Sequence, residues 1–432
     1  MKKFMSRVLG IVLVVTMVFS AVPSMAEANR STEDSSVYDI IAAEFGTEFA
    51  VNYVMAMELL NSFYDSLPQD RMGEVIYPCN FGGVYIDGNG NLVILVVEGS
   101  PRDDMIHGLA TDGAMVREVK FTYNALRDAF DFLDYYIPNN QDNPAAANVN
   151  SISLDIPSNQ VLVLLANYTE DEVYLFISTV LDAPYLLFMK SPERHVSRLY
   201  YNELPEVQVE NFDYRYYISN QLFVPTSTTI IVRPGDPLYI AHPIGGVLRG
   251  GSVGYRATYH NRQGFTTAAH NKMSGGAWGR QFHIGDHVFN RYGQHIGTIM
   301  RATLHTNDMA FFRVENNVII NNWVPHGLLL NEARPNFVPG SVVFLNARYT
   351  RGRGGFVRGQ FSDMYHGHWI TGVRTTLPAV PGDSGGIVYI WEHPSYNGAA
   401  GILIGHIGNW ADGGNILITT IQNHENVGVR RF

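Results

Sequence analysis

Three short stretches carry residue types that could act on one substrate atom. Pro381-Gly382-Asp383-Ser384-Gly385-Gly386 sets a serine among residues of little bulk. A serine hydroxyl is a poor nucleophile at neutral pH and needs an adjacent base, together with backbone N–H groups aimed at the oxyanion that forms. Gly382 has no Cβ, so its backbone can take the turn that points its N–H, with that of Ser384, at a carbonyl oxygen. Gly264-Phe265-Thr266-Thr267-Ala268-Ala269-His270 is a β-prone run that delivers a histidine, the candidate base. Asn307-Asp308 precedes Met309-Ala310-Phe311-Phe312-Arg313-Val314, an acid at the mouth of a half-buried strand pattern that could orient that histidine. Each stretch alone has a plainer reading: His270 as a structural residue after a strand, Asp308 as a turn residue, Ser384 as part of a hairpin loop. Their order, His270, Asp308, Ser384, is that of one of the known acyl-transfer triads.

The hexapeptide resembles the nucleophile loop of chymotrypsin-like serine proteases. The segment ending Thr267-Ala268-Ala269-His270 resembles the one that carries the base there, and Asp308-Met309-Ala310 resembles the segment that orients it. The resemblance implies a double β-barrel, a catalytic His270, Asp308 and Ser384, an oxyanion hole from the N–H groups of Gly382 and Ser384, polypeptide substrates and no cofactor or metal. Many relatives carry a cysteine after the histidine; here Asn271 stands there. Asp383 reads as shaping the loop, by pairing with a new amino terminus or with another local group. In trypsin-like relatives an acid six residues before the nucleophile selects basic side chains; here that residue is Pro378, which implies a different preference, for an apolar or small side chain. Gly401-Ile402-Leu403-Ile404-Gly405-His406 resembles a wall of the primary pocket, and His406 is a candidate for binding an acidic side chain, although a one-residue change of register turns it to the other face.

The elements that must position these residues occupy only part of the 432 residues. Lys2, Lys3 and Arg7 lead into the apolar run Val8–Val22 and the small-residue exit Ser24–Ala28, the pattern of a secretory signal peptide over residues 1–28 cut after Ala26 or Ala28. The alternative is a retained anchor. Secretion, with no lasting membrane association, is therefore expected. The single cysteine, Cys79, excludes an intramolecular disulfide, and reads as a small buried hydrophobe in preference to a free thiol.

Residues 29–225 hold ten Lys and Arg against 29 Asp and Glu, whereas residues 226–432 hold 17 against ten. Opposite potentials predict that the halves dock on each other. Arg348, Arg351, Arg353 and Arg358 are too sparse a group to argue for nucleic acid. Residues 29–190 read as an acidic α+β domain. Helical spacing runs from Val37 to Leu67, as one helix or two, and again from Met115 to Tyr136. A hairpin is predicted over Phe81–Val97 around Asp87-Gly88-Asn89-Gly90, a strand over Gln160–Leu165, a helix capped by Thr169 and running to about Leu181, and a strand over Tyr185–Met189. Over residues 44–190 this pattern resembles the pro-region of bacterial secreted proteases of the α-lytic and streptogrisin type, which implies a segment that assists folding and inhibits until removed.

Residues 191–229, tyrosine-rich and closing with Pro225-Thr226-Ser227-Thr228-Thr229, read as a linking and processing stretch. From 230 to 432, short β-prone runs punctuated by glycines predict an all-β, barrel-type domain. The fold class is thus multidomain: an α+β pro-domain followed by an all-β, two-barrel protease-like domain. His283 with His287, and His366 with His368, have spacings that could share a metal, but neither pair has a completing cysteine or carboxylate set, and both read as structural. Two other classes compete. Gly382-Asp383-Ser384-Gly385-Gly386 also fits a lipase-type elbow, which needs a following helix where Ile387–Trp391 reads as strand. The other is a secreted binding protein on a catalytically silent protease scaffold.

Overall fold

The computed structural model describes residues 37–71, 75–100, 104–191, 229–241, 249–270, 282–303, 307–325, 327–330, 338–365, 368–380, 382–393, 396–407, 415–420 and 429–431. The leader over 1–28, most of the linking stretch over 191–229, and His366 lie outside them, as do the side chains of His368 and His406.

The N-terminal region begins with α1 (Val37–Phe45) and α2 (Thr47–Ser66), one periodic stretch broken at Gly46, whose φ of 96° no helix can hold. The hairpin β1 (Phe81–Ile86) and β2 (Leu92–Val97) follows, its turn fixed by Asp87 Oδ1, which accepts the N–H groups of Asn89 and Asn91 at 2.9 and 2.8 Å. Strand β2 is an unbroken apolar run because both its faces are covered: Leu92 and Ile94 enter one core, Val93 and Leu95 another. Next come α3 (Asp104–Thr111), β3 (Met115–Val119) and α4 (Tyr123–Asn139).

Here the expected helix from Met115 to Tyr136 is corrected. Met115–Val119 pairs parallel with β2, and the helix starts only at Thr122, whose hydroxyl accepts Ala125 N–H at 3.2 Å. The short α5 (Pro144–Ala147) leads to β4 (Val149–Asp155), β5 (Gln160–Leu165), α6 (Glu170–Thr179) and β6 (Leu186–Lys190). Thr169 caps α6 as expected, accepting Glu172 N–H at 3.2 Å. Cys79 is a second correction: it is exposed, because it sits on the turn where Phe81 N–H closes on Pro78 O ahead of β1.

The C-terminal region is built from strands: β7 (Ile230–Val232), β8 (Pro237–Ala241), β9 (Arg249–Ser252), β10 (Arg256–Tyr259), β11 (Arg262–Ala268), β12 (His287–Asn290), β13 (His295–Thr303), β14 (Met309–Val314) and β15 (Val318–Ile320) come first. They are followed by β16 (Trp323–Val324), β17 (Gly327–Leu330), β18 (Val342–Asn346), β19 (Arg351–Tyr365), β20 (His368–Thr375), β21 (Ile387–His393), β22 (Tyr396–Ile407), β23 (Asn415–Thr420) and β24 (Arg430–Arg431).

An antiparallel sheet in the order β24-β10-β11-β14-β13-β12-β8-β9 curls until β9 returns against β11. In the second body β18, β19, β20, β23, β22 and β21 pair in a ring, each with the next and the last with the first, a closed six-stranded barrel. The two-barrel, all-β expectation is met, one barrel being closed and the other a curled half.

The N-terminal region is fused to the closed barrel. Strand β4 adds antiparallel to β19, with Ser151 opposite Asp363 and Ser153 opposite Phe361, so one sheet runs through both regions. A single apolar cluster includes Phe49, Tyr53 and Phe63 from the first region with Phe344, Phe361 and Tyr389 from the second. Phe45, tilted, and Phe49, edge-on, pack around Phe356 at centroid distances of 4.5 and 5.5 Å. Val342 N–H donates to the buried Tyr53 hydroxyl at 3.0 Å, and Ile86 N–H to Pro339 O at 2.8 Å. The docking predicted from opposite charge is thus present but differently made. Among the described residues one ion pair crosses it, Arg353 with Glu44 at 3.1 Å, beside the β4–β19 pairing, a few hydrogen bonds and the shared apolar cluster.

Candidate active site

The site lies where the curled sheet meets the closed barrel. Strand β11 ends at Ala268 and delivers Ala269 and His270; β14, its neighbour, begins at Met309 immediately after Asp308. The pairing of Ala268 with Met309 therefore brings base and acid side by side, although they are 38 residues apart in the chain. Asp308 is fully buried and sits at φ 41°, a left-handed conformation that a side-chain-bearing residue holds only when its surroundings over-determine it. Here Oδ1 accepts the N–H groups of Ala269 and His270 at 3.1 and 2.7 Å, while Oδ2 meets His270 Nδ1 at 2.6 Å.

A carboxylate only accepts, so Nδ1 carries the imidazole proton and Nε2 presents a lone pair. That lone pair faces Ser384 Oγ at 3.0 Å. Burial alone pulls the His270 imidazole down; the charge and hydrogen bond of Asp308 more than reverse this, and its pKa is raised above the ordinary histidine value.

Ser384 is held from both bodies. Its carbonyl accepts Ser252 N–H from β9 at 2.9 Å, and the next residue, Gly385, donates to Leu403 O of β22 at 2.8 Å. Gly385 has φ +85°, and an added Cβ there would lie 2.6 Å from Ser252 O, so only glycine lets the loop pass between the sheets. The backbone donors of the loop divide into two sets. Asp383, Gly385 and Gly386 donate to Val380 O, Leu403 O and Asp383 O at 3.1, 2.8 and 2.9 Å. The N–H groups of Gly382, at φ +95°, and of Ser384 have no acceptor among the described residues. Two adjacent unanswered donors beside a serine hydroxyl can take a negatively charged oxygen.

Asp383 is fully buried and points away from the serine hydroxyl. Its Oδ1 accepts the N–H groups of Tyr349 and Thr350 at 2.8 and 3.3 Å; its Oδ2 accepts the Thr350 hydroxyl at 2.6 Å and Val380 N–H at 3.0 Å. The partner is thus the local one of the two expected. The Thr350 hydroxyl lies 3.1 Å from Pro378 O as well, so this side chain ties the nucleophile loop to the segment leading into it. Tyr349 and Thr350 were not singled out in the sequence, because a backbone N–H and one threonine give no pattern to find.

Pro378 lies on the exposed face of that leading segment. His406 is on β22, opposite Ile416 of β23, past an irregularity between Leu403 and Gly405 that shifts the register. The histidine pair four apart does not act as one: His287 Nδ1 faces His295 Nε2 at 3.0 Å, and His283 lies over the Asp286 turn, its N–H donating to Asp286 Oδ2 at 2.8 Å. Burial, and then the neighbouring His287, push His295 down to about 4 against the opposing pull of Glu315.

Residues 27–107 match the family model of the Pro-like N-terminal domain, and residues 124–191 that of the Pro-like C-terminal domain. The resemblance of the N-terminal region to pro-regions of α-lytic-type proteases is met by these matches. No curated protein matches the chain. Among solved structures, Thermobifida fusca protease A is 23% identical over 46% of this chain and 97% of its own, with a TM-score of 0.34. Nocardiopsis protease is 23% identical over 46% of this chain and 100% of its own, TM-score 0.36. The chymotrypsin of Cellulomonas bogoriensis is 26% identical over 47% and 99%, TM-score 0.35. Among the described residues no helix is long and apolar enough to cross a membrane.

Proposed function

We propose that the chain is the precursor of a secreted serine endopeptidase, with a leader at 1–28, a pro-region at 29–190, a stretch at 191–229 that is cut, and a protease domain at 230–432. The observation that carries this reading is the line of hydrogen bonds from buried Asp308 through His270 to Ser384, 2.6 and 3.0 Å long, ending beside two unanswered N–H groups. Ser384 Oγ attacks a peptide carbonyl carbon while His270 Nε2 takes its proton. The C–N bond of the tetrahedral intermediate breaks as the imidazolium returns that proton to the leaving amine, and water hydrolyses the ester by the same steps. Asp308 fixes the tautomer and stabilises the imidazolium; the N–H groups of Gly382 and Ser384 stabilise the oxyanion. None of these steps calls on a metal.

Pro378, in place of an acid, argues against selection of basic side chains on the acyl side, and His406 is the candidate for that pocket. The pro-region assists folding and blocks the enzyme until it is removed. The shared apolar cluster and the strand that β4 adds to β19 support this role, since a protease domain formed without them would leave that surface open to water.

Intact-mass and gel analysis of the secreted chain beside a Ser384→Ala variant tests the reading. The wild type splits between residues 191 and 229 and the variant stays whole. A wild type that splits no more than the variant, and turns over no peptide in a library, overturns it in favour of a silent scaffold that binds.

A further inference from the structure

The nucleophile sits between two strands that differ in what they offer a substrate. On one side β22 carries the expected wall of the acyl-side pocket. On the other, β9 holds Ser252, Gly251 and Gly250, and against β9 stands a cation. The Arg348 guanidinium carbon lies 4.8 Å from the ring centroid of Tyr239 and 5.0 Å from that of Tyr349. One terminal nitrogen donates to the Tyr239 hydroxyl at 2.6 Å, and the backbone N–H of Arg348 donates to Ser252 Oγ at 2.9 Å. A side chain at Gly250 would collide with the guanidinium, so the glycine makes its room. The Tyr349 ring in turn lies against Gly382: Cε2 is 2.7 Å from where a Cβ on that glycine would be.

Arg348 is half-buried, and a guanidinium held in place by two rings is set to meet a carboxylate. Among the described residues Arg348 pairs with none. Asp383, the nearest acid along the chain of contacts, already accepts from Tyr349, Thr350 and Val380. The two rings fix the guanidinium plane and shield it in part, while its remaining N–H donors stay open for a forked contact.

We propose that Tyr239, Arg348 and Tyr349 form the subsite for the leaving-group part of the polypeptide, and that Arg348 selects an acidic side chain at one of the first two residues after the scissile bond. This rests on reading Ser384 as the nucleophile. The acyl part must lie along β22 for its carbonyl oxygen to reach the N–H groups of Gly382 and Ser384. The departing chain then leaves on the β9 side, past the ring that covers Gly382. A charge-assisted contact made there is worth about a tenfold preference or more.

The test uses the chain expressed in full and left to process. Paired internally quenched peptides differ only in Glu against Gln at the first or second residue after the cut bond. The expected result is a kcat/KM about tenfold higher for Glu at one of these positions, falling as salt is raised. Arg348→Gln brings the ratio to about one, and Arg348→Lys, which keeps the charge but not the fork, leaves an intermediate ratio. Tyr239→Phe, which keeps the ring, lowers the ratio without erasing it. Equal rates for Glu and Gln in the wild type, or a preference that survives Arg348→Gln, overturns the subsite while Ser384 still turns over peptide. A wild type that cuts neither peptide, and whose Ser384 does not react with a fluorophosphonate, overturns the protease reading and the subsite together.

Discussion

Two seams run through this molecule, and although one apolar cluster reaches into both, they differ in what meets the candidate site. Where the seam between curled sheet and closed barrel passes the candidate site it is held by directional bonds: Ser252 N–H to Ser384 O and Arg348 N–H to Ser252 Oγ, at 2.9 Å each. The seam between the N-terminal region and the barrel is mostly apolar area, the Phe45–Phe49–Phe356 group and the cluster around Tyr53, stitched by a few backbone contacts. Hydrogen bonds weaken steeply when bent or stretched, so the first kind fixes atoms. Buried area scales with surface and is non-directional, so the second kind holds bodies together without fixing a reacting group. The seam that crosses the candidate site carries directional bonds there, and the seam to the proposed pro-region is mostly adhesive.

Changes at the directional seam should cost most in turnover. Asp308→Asn leaves the shape but lets an amide meet His270, and kcat is expected to fall about 10⁴-fold, read on a peptide substrate at neutral pH. The same pair sets the pH dependence. His270 must be neutral to act, and Asp308 raises its pKa, so kcat/KM is lost as pH falls through a value above that of an ordinary histidine. In Asp308→Asn the residual activity should lose that acid limb at lower pH; an unmoved limb would mean that another group sets it. Asp383→Asn places N–H against the Tyr349, Thr350 and Val380 donors, loosening the loop whose N–H groups are proposed to hold the oxyanion. A fall in kcat of about 10²–10³-fold is expected with KM little changed.

The adhesive seam answers in stability. Tyr53→Phe strands the buried Val342 N–H and should lower the unfolding free energy of the uncut chain by about 1–3 kcal/mol, read by urea denaturation. Once the N-terminal region has been removed, turnover should not register this change. Glu44→Gln breaks the one described ion pair across this seam, but its groups are 26% and 61% exposed, and an effect below about 1 kcal/mol is expected. If Glu44→Gln cost more than Tyr53→Phe, charge and not area would hold the adhesive seam, and the contrast would fail.

What could be read from the chain alone follows the same division. The hairpin around Asp87, the Thr169 cap and the β-rich text after residue 230 depend on near neighbours, and local pattern carried them. The convergence of His270, Asp308 and Ser384 is long-range, yet segments with strong local signatures announced it. What escaped was decided by contacts from elsewhere. Met115–Val119 has apolar spacing compatible with a helix until β2 claims it as a neighbour. Strand β4 exists partly because β19 extends far enough to pair with it. Cys79 was read by residue type, and a turn placed it outside. The net charge of each half foretold that they meet but not by what means, since unlike charge acts at a distance whereas packing is decided on contact.

The four donors to Asp383 all come from its own barrel and the loops that close it, so this carboxylate needs no particular chain end to be made. The position of the proposed processing cut is therefore free to drift in evolution and to vary from molecule to molecule. A population with ragged starts should work as one enzyme, and a tag left ahead of Ile230 should be silent in turnover.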